Sequence, residues 1–179
     1  MKKIKKVLAF LKFSVIVVIE QMKRVFVYRF LLQEVTDMNI NKFTQKSLQA
    51  VNDLEKIAYE FGNQEVEQEH LLYALMNQED SLIKKLIEKM EIQPQYFANS
   101  IESAIEKRTK VSGGKPYIGN DLNTVLITAE DEAKNMGDEY VSVEHLFLAM
   151  IHHPSRTVKE LFREYGITSE RFLQALSTV

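Results

Sequence analysis

Gly137-Asp138-Glu139-Tyr140-Val141-Ser142-Val143-Glu144-His145-Leu146 decides how this chain reads, because the chain carries it twice. The other copy is Gly62-Asn63-Gln64-Glu65-Val66-Glu67-Gln68-Glu69-His70-Leu71, 75 positions earlier, and the match runs on at that offset without a gap. Ahead of each copy, apolar residues step by three or four, the spacing of one helix face. They are Leu48, Val51, Leu54, Ala58 and Phe61 in the first copy, and Leu122, Leu126, Ala129, Ala133 and Met136 in the second. Gly62 and Gly137 then stop the helix, since glycine adopts the left-handed conformation cheaply. Ala58 and Ala133 correspond, and a small residue repeated on a buried face marks close helix approach.

After each glycine a second helix begins. Val66 and Val141 enter the turn, and Ser142 suits an N-cap whose oxygen accepts from an unpaired backbone N–H. Glu144 then falls in the first turn, where the helix dipole favours an anion. Glu67, a poorer cap, and Glu69 take the same places in the first copy. A third apolar series follows: Leu82, Ile83, Leu86, Ile87 and Met90 against Val158, Leu161, Phe162 and Tyr165, the latter preceded by a break at Pro154-Ser155. Pro94 and Ser169 suit the first turn of a fourth helix. The expected fold is all-α, eight helices in two four-helix repeats related by a pseudo-two-fold. Repeat one covers 43–105, a polar Gly113-Gly114-containing linker that reads as flexible covers 106–116, and repeat two covers 117–178.

The chain has 179 residues, no cysteine, six glycines and three prolines. No disulfide framework, thiolate zinc site or cysteine nucleophile is available, and the scarcity of turn residues favours long helices. The net charge of −2 is unevenly spread: residues 1–37 hold eight basic and three acidic side chains, leaving the body at −7. An acidic body argues against nucleic acid as a partner. Residues 1–37 start like a signal peptide, but Lys12 interrupts the apolar run and no small-residue cleavage site follows. The run is too short to cross a bilayer. The segment reads either as translation from a start upstream of Met38 or as a surface-associating membrane helix.

The Glu-His pairs invite a metal or catalytic reading. A metal helix places two ligands at i and i+4, whereas adjacent residues point about 100° apart. The expected role is a capping acid followed by a packing histidine that bonds backbone or solvent. His145 and His152 are two turns apart, about 10 Å, too far for one metal. Ser112-Gly113-Gly114-Lys115-Pro116 lacks the first glycine of a phosphate loop and has proline where Ser or Thr would hold magnesium. No serine stands in a nucleophile elbow. Binding is the stronger class: short amphipathic helices leave grooves that accept peptide segments, and methionine and leucine adapt to varied partners.

Phe43-Thr44 and the doubled Gly-x-x-x-Val-x-x-Glu-His-Leu string resemble the amino-terminal domain of the Clp ATPases, the Clp-N repeat, over residues 38–179. Met38–Thr44, Glu67–Leu75, Lys110–Gly114 and Asp138–Leu146 are worded most like its ClpB disaggregase branch. The resemblance implies a non-catalytic, cytoplasmic chaperone domain of the stress response that binds apolar segments of unfolded or aggregated polypeptides. It further implies a homohexameric parent with ATP and magnesium confined to ATPase modules this chain lacks. No cofactor or metal is expected here. Adaptor docking, as in ClpA and ClpC, is the alternative. The family's substrate positions fall on Thr44, Asp138 and Glu144, and its apolar groove on Leu126 and His145, the latter replacing an aliphatic side chain.

Overall fold

Thr44 is in extended conformation and accepts a hydrogen bond from the Ser47 N–H, so α1 (Gln45–Phe61) starts where an orphan donor is satisfied. Its apolar stripe buries Ala50, Val51, Leu54, Ile57 and Ala58. Gly62, at φ 66°, ends it. Moving on 75 residues gives α5 (Asn120–Met136), of the same 17-residue length, ended by Gly137 at φ 80°. The second helices are α2 (Gln68–Asn77) and α6 (Val143–His152), again at the repeat offset. The third are α3 (Leu82–Lys89) and α7 (Arg156–Glu164), the latter capped by Ser155. The fourth are α4 (Pro94–Glu106) and α8 (Ser169–Leu176). The computed structural model describes residues 40–179, and the expectations for the basic segment 1–37 lie outside the described residues.

The two repeats exchange their leading ends. Two-residue strands β1 (Glu65–Val66) and β2 (Tyr117–Ile118) pair in parallel, with Val66 opposite Ile118. Phe43 bridges Val141 in the same parallel sense. Adding 75 to Phe43 gives Ile118, and adding 75 to Val66 gives Val141, so the second bridge is the first one seen across the pseudo-two-fold. Thr44 N–H donates to Val141 O (2.9 Å), and its counterpart Gly119 N–H donates to Val66 O (2.8 Å). Helix packing obeys the same exchange. α3 lies against α6 and α8 of the opposite repeat, while α7 lies against α2 and α4.

One core results. Phe147 stacks on Phe172 at 4.7 Å between ring centroids and tilts against Phe162. Phe97 meets Tyr165 edge-on from the other repeat. Leu71, Leu72, Leu75, Ile83, Leu86 and Ile101 are fully buried, each worth about 1.5–3 kcal/mol by transfer. Ala58 and Ala133 are buried, as a close-approach position requires.

The linker departs from expectation. It is fixed to the first repeat rather than loose, through Val111 N–H to Gly62 O and Asn63 Nδ2 to Thr109 O. Gln68 fastens the repeats where its counterpart, Val143, is apolar. It is fully buried, donates to Asp121 O and His153 O, and accepts from Ser155 N–H.

Candidate functional site

The repeated turn is built around its histidine. Glu67 N–H donates to His70 Nδ1 (3.0 Å), and Ser142 N–H donates to His145 Nδ1 (2.9 Å). On the far side of the ring, His70 Nε2 meets Asn63 Oδ1 at 3.2 Å and His145 Nε2 meets Asp138 Oδ2 at 3.1 Å. Both rings are fully buried. An Nδ1 that accepts from a backbone N–H is unprotonated, so Nε2 carries the hydrogen toward Asn63 or Asp138. Each imidazole therefore has both nitrogens occupied, leaving no lone pair for a metal. The histidines bond backbone, as the capping reading expects.

Thr44, Asp138 and Glu144 come together around the second of these turns. Thr44 caps α1, and its own N–H holds Val141 O within the turn. Ser47 adds a hydroxyl donor to the same carbonyl. Asp138 is exposed apart from its bond to His145, and Glu144 is half-exposed in the first turn of α6. Leu126 and His145 are a correction: neither has exposed surface, so neither lines an open groove. Leu126 belongs to the buried stripe of α5, and His145 holds the turn from beneath. The exposed apolar side chains beside the acids are instead Met136 and Tyr140, which are 40% and 50% exposed. An open cleft of about 970 Å³ lies elsewhere, between α4 and α7, where polar side chains such as Ser100 and Glu160 alternate with apolar ones such as Tyr96 and Leu161.

A second group was not visible in the sequence. The Glu67 carboxylate crosses the two-fold and accepts from Leu122 N–H in the first turn of α5 (3.2 Å). The residue before α5 is Gly119, which has no side chain to do so. Beside it, Arg108 of the linker bonds the buried Glu69 (2.6 Å) and the more exposed Glu65 (2.9 Å). The signal for Glu67 lay in the repeat: the places of Thr44 and Ser142 are taken in the other copy by Gly119 and Glu67.

This cluster makes stability depend on pH. Burial, followed by the charge of Asp121, pushes the Glu67 carboxyl from its ordinary 4.5 up to about 7. Burial, followed by the Arg108 charge, pushes His70 from 6.5 down to about 4. The folded chain holds Glu67's proton longer than the unfolded chain, so stability from this group falls as pH rises from about 4.5 through 7. The folded chain refuses His70's proton, so stability falls as pH drops from 6.5 through about 4. The two slopes oppose each other in the overlap. Glu67→Gln keeps an acceptor for Leu122 and is expected to gain about 1–3 kcal/mol relative to wild type between pH 5 and pH 8. Urea unfolding of both proteins at the two pH values checks this, and an unchanged difference would contradict it.

Among the described residues no helix is long and apolar enough to cross a membrane. The family model for the Clp repeat (R) N-terminal domain matches residues 42–165. The chaperone protein ClpB of Nitratidesulfovibrio vulgaris is 40% identical over 148 residues, covering 79% of this chain but only 17% of that protein. The Hsp104 N-terminal domain from Candida albicans superposes with a TM-score of 0.66 at 18% identity, covering 75% of this chain and 88% of that one. The ClpV N-domain in complex with VipB peptide gives a TM-score of 0.61 at 18% identity, covering 77% and 89%. The helical fold seen here matches these neighbours. The doubled turn, the exchanged strands and the family match together place this chain in the Clp repeat N-terminal domain family, to which it belongs.

Proposed function

We propose that this chain is the client-binding N-terminal domain of a ClpB-type, ATP-dependent protein disaggregase that works in the cytoplasm as a homohexamer. It acts by holding unfolded or aggregated polypeptide and has no catalytic step or cofactor of its own. The observation that supports this is the exposure of Met136 and Tyr140 beside Asp138, Glu139 and Glu144, on a turn tied down by His145 and the Phe43–Val141 bridge. An extended client can lay apolar side chains on Met136 and Tyr140 while its backbone N–H groups find the carboxylates. A small patch of this kind binds weakly and adaptably, which suits a client that must be passed on.

Glu144→Lys tests the reading, because Glu144 carries neither a core contact nor the His145 bond. Affinity for a denatured polypeptide is expected to fall about tenfold, as for a lost charge-assisted contact, with helicity unchanged. Fluorescence anisotropy with a labelled, permanently unfolded client measures this, and an unaltered affinity would contradict the assignment. A second reading, docking of an adaptor, is favoured by the solved complex of a ClpV N-domain with a VipB peptide. An adaptor module would bind one folded partner tightly and ignore the denatured client in the same assay.

A further inference from the structure

In the first repeat the turn is already occupied by a piece of this chain. Arg108-Thr109-Lys110-Val111 runs across Phe61–Glu65 and is held at each position. Arg108 sits between Glu69 and Glu65. Thr109 O accepts from Asn63 Nδ2 (3.2 Å). Lys110 Nζ donates to Phe61 O (2.6 Å) and lies 5.7 Å from the centre of the Phe61 ring. Val111 N–H donates to Gly62 O (2.9 Å). The linker is thus a short basic segment docked on the very turn that the chain repeats.

Among the described residues, nothing covers the same platform in the second repeat. Adding 75 turns Glu69 into Glu144, Glu65 into Tyr140, Asn63 into Asp138, Gln64 into Glu139, Gly62 into Gly137 and Phe61 into Met136. Residues 136–140 are all exposed and Glu144 is half-exposed. A Cβ placed on Gly62 would touch the Lys110 side chain at 3.8 Å, whereas among the described residues nothing lies within 4 Å of the same point on Gly137. The number of carboxylates is the same in the two copies, three each, but their places differ, since Tyr140 and Ser142 stand where Glu65 and Glu67 do. Asn63 and Gln64 are replaced by Asp138 and Glu139, so three carboxylates flank the bare turn.

We infer that the Met136–Glu144 turn takes an extended, basic segment of another polypeptide in the register in which Phe61–Glu69 takes Arg108–Val111. An arginine or lysine of that segment lies between Glu144 and the ring of Tyr140. Three residues on, a backbone N–H of the segment donates to Gly137 O, and an intervening basic or long side chain covers Met136. This rests on the client-binding reading and adds to it a strand polarity and a preference for cations among the apolar residues. It also gives the duplication a logic: one copy of the turn binds the linker and orders the domain, and the other is left for the client.

The test uses the full chain labelled with ¹⁵N and a capped hexapeptide copying Lys107–Ser112, with a second peptide carrying K107Q, R108Q and K110Q. The basic peptide is expected to shift the amides of Gly137–Glu144. The neutral peptide, and the basic peptide on Glu144→Gln protein, are each expected to bind about tenfold more weakly. Binding should also weaken as salt rises from 50 to 500 mM. Equal affinity for the two peptides, or shifts confined to Gly62–Glu69 through competition with the linker, would overturn the inference. If an unfolded client shifts the Gly137–Glu144 amides while the basic peptide does not, the register and the cation preference fall and the client-binding reading stands. If neither binds, both fall.

Discussion

Gly119→Thr is expected to destabilise the domain by about 3 kcal/mol, and a second change, Glu67→Ser, to restore most of that loss. A Cβ on Gly119 would stand 1.8 Å from Glu67 Oε1 and 2.5 Å from its Cδ. Gly119 has φ −73°, so its backbone asks nothing special of glycine, and the space alone demands it. Any side chain there expels the Glu67 carboxylate, leaves Leu122 N–H without its acceptor, and forces a buried acid to find a new place. Across the two-fold the same junction is solved by Thr44 and Ser142, with Thr44 capping its own helix. Glu67→Ser alone removes the cap from α5 and is expected to cost about 1 kcal/mol. The double variant installs the other repeat's solution, with a threonine cap in place. Urea midpoints of the two single variants and the double variant decide the matter. Losses that simply add would show that Gly119 and Glu67 are not coupled.

His145→Ala is expected to cost about 3 kcal/mol, since it both opens a cavity and strands a backbone donor. Ser142 N–H loses Nδ1 and Asp138 loses its hydrogen bond from Nε2, while the fully buried ring leaves space that no neighbour fills. The expected fall in Tm is about 6–12 °C for a chain of this size. Client affinity should fall as well, because Asp138 and Tyr140 are carried on the loosened turn. A Tm within 2 °C of wild type would show that the histidine does not hold the turn.

Much of the fold could be read from residue order because its signals are local. Gly62 and Gly137 mark left-handed helix ends, Pro94 and Ser169 open the fourth helices, and Ser155 caps α7. The offset of 75 then carries one repeat onto the other. The misreadings have a common physical cause: spacing identifies a helix face but does not say what covers it. Leu126 stands on the stripe Leu122, Leu126, Ala129 and Ala133, and that stripe is the core of α5. A resemblance could place Leu126 at a groove position only by overlooking the stripe. His145 belongs to the cap rather than the surface because its Nδ1 is needed by Ser142. The linker looked loose because its composition is polar and glycine-bearing, yet Arg108 finds Glu69 39 residues away. No local rule encodes such a pairing. Glu67 looked like an inferior cap because its carboxylate also serves a helix of the other repeat.

The central claim is that the domain holds unfolded chains at the Met136–Glu144 turn. A photo-reactive benzoylphenylalanine placed at Tyr140 of the full chain, and in a second protein at Tyr96 in the α4–α7 cleft, tests it most directly. With a denatured polypeptide added and light applied, the account predicts crosslinks from position 140 that Glu144→Lys suppresses, and few from position 96. Crosslinks from position 96 with none from position 140 would contradict it.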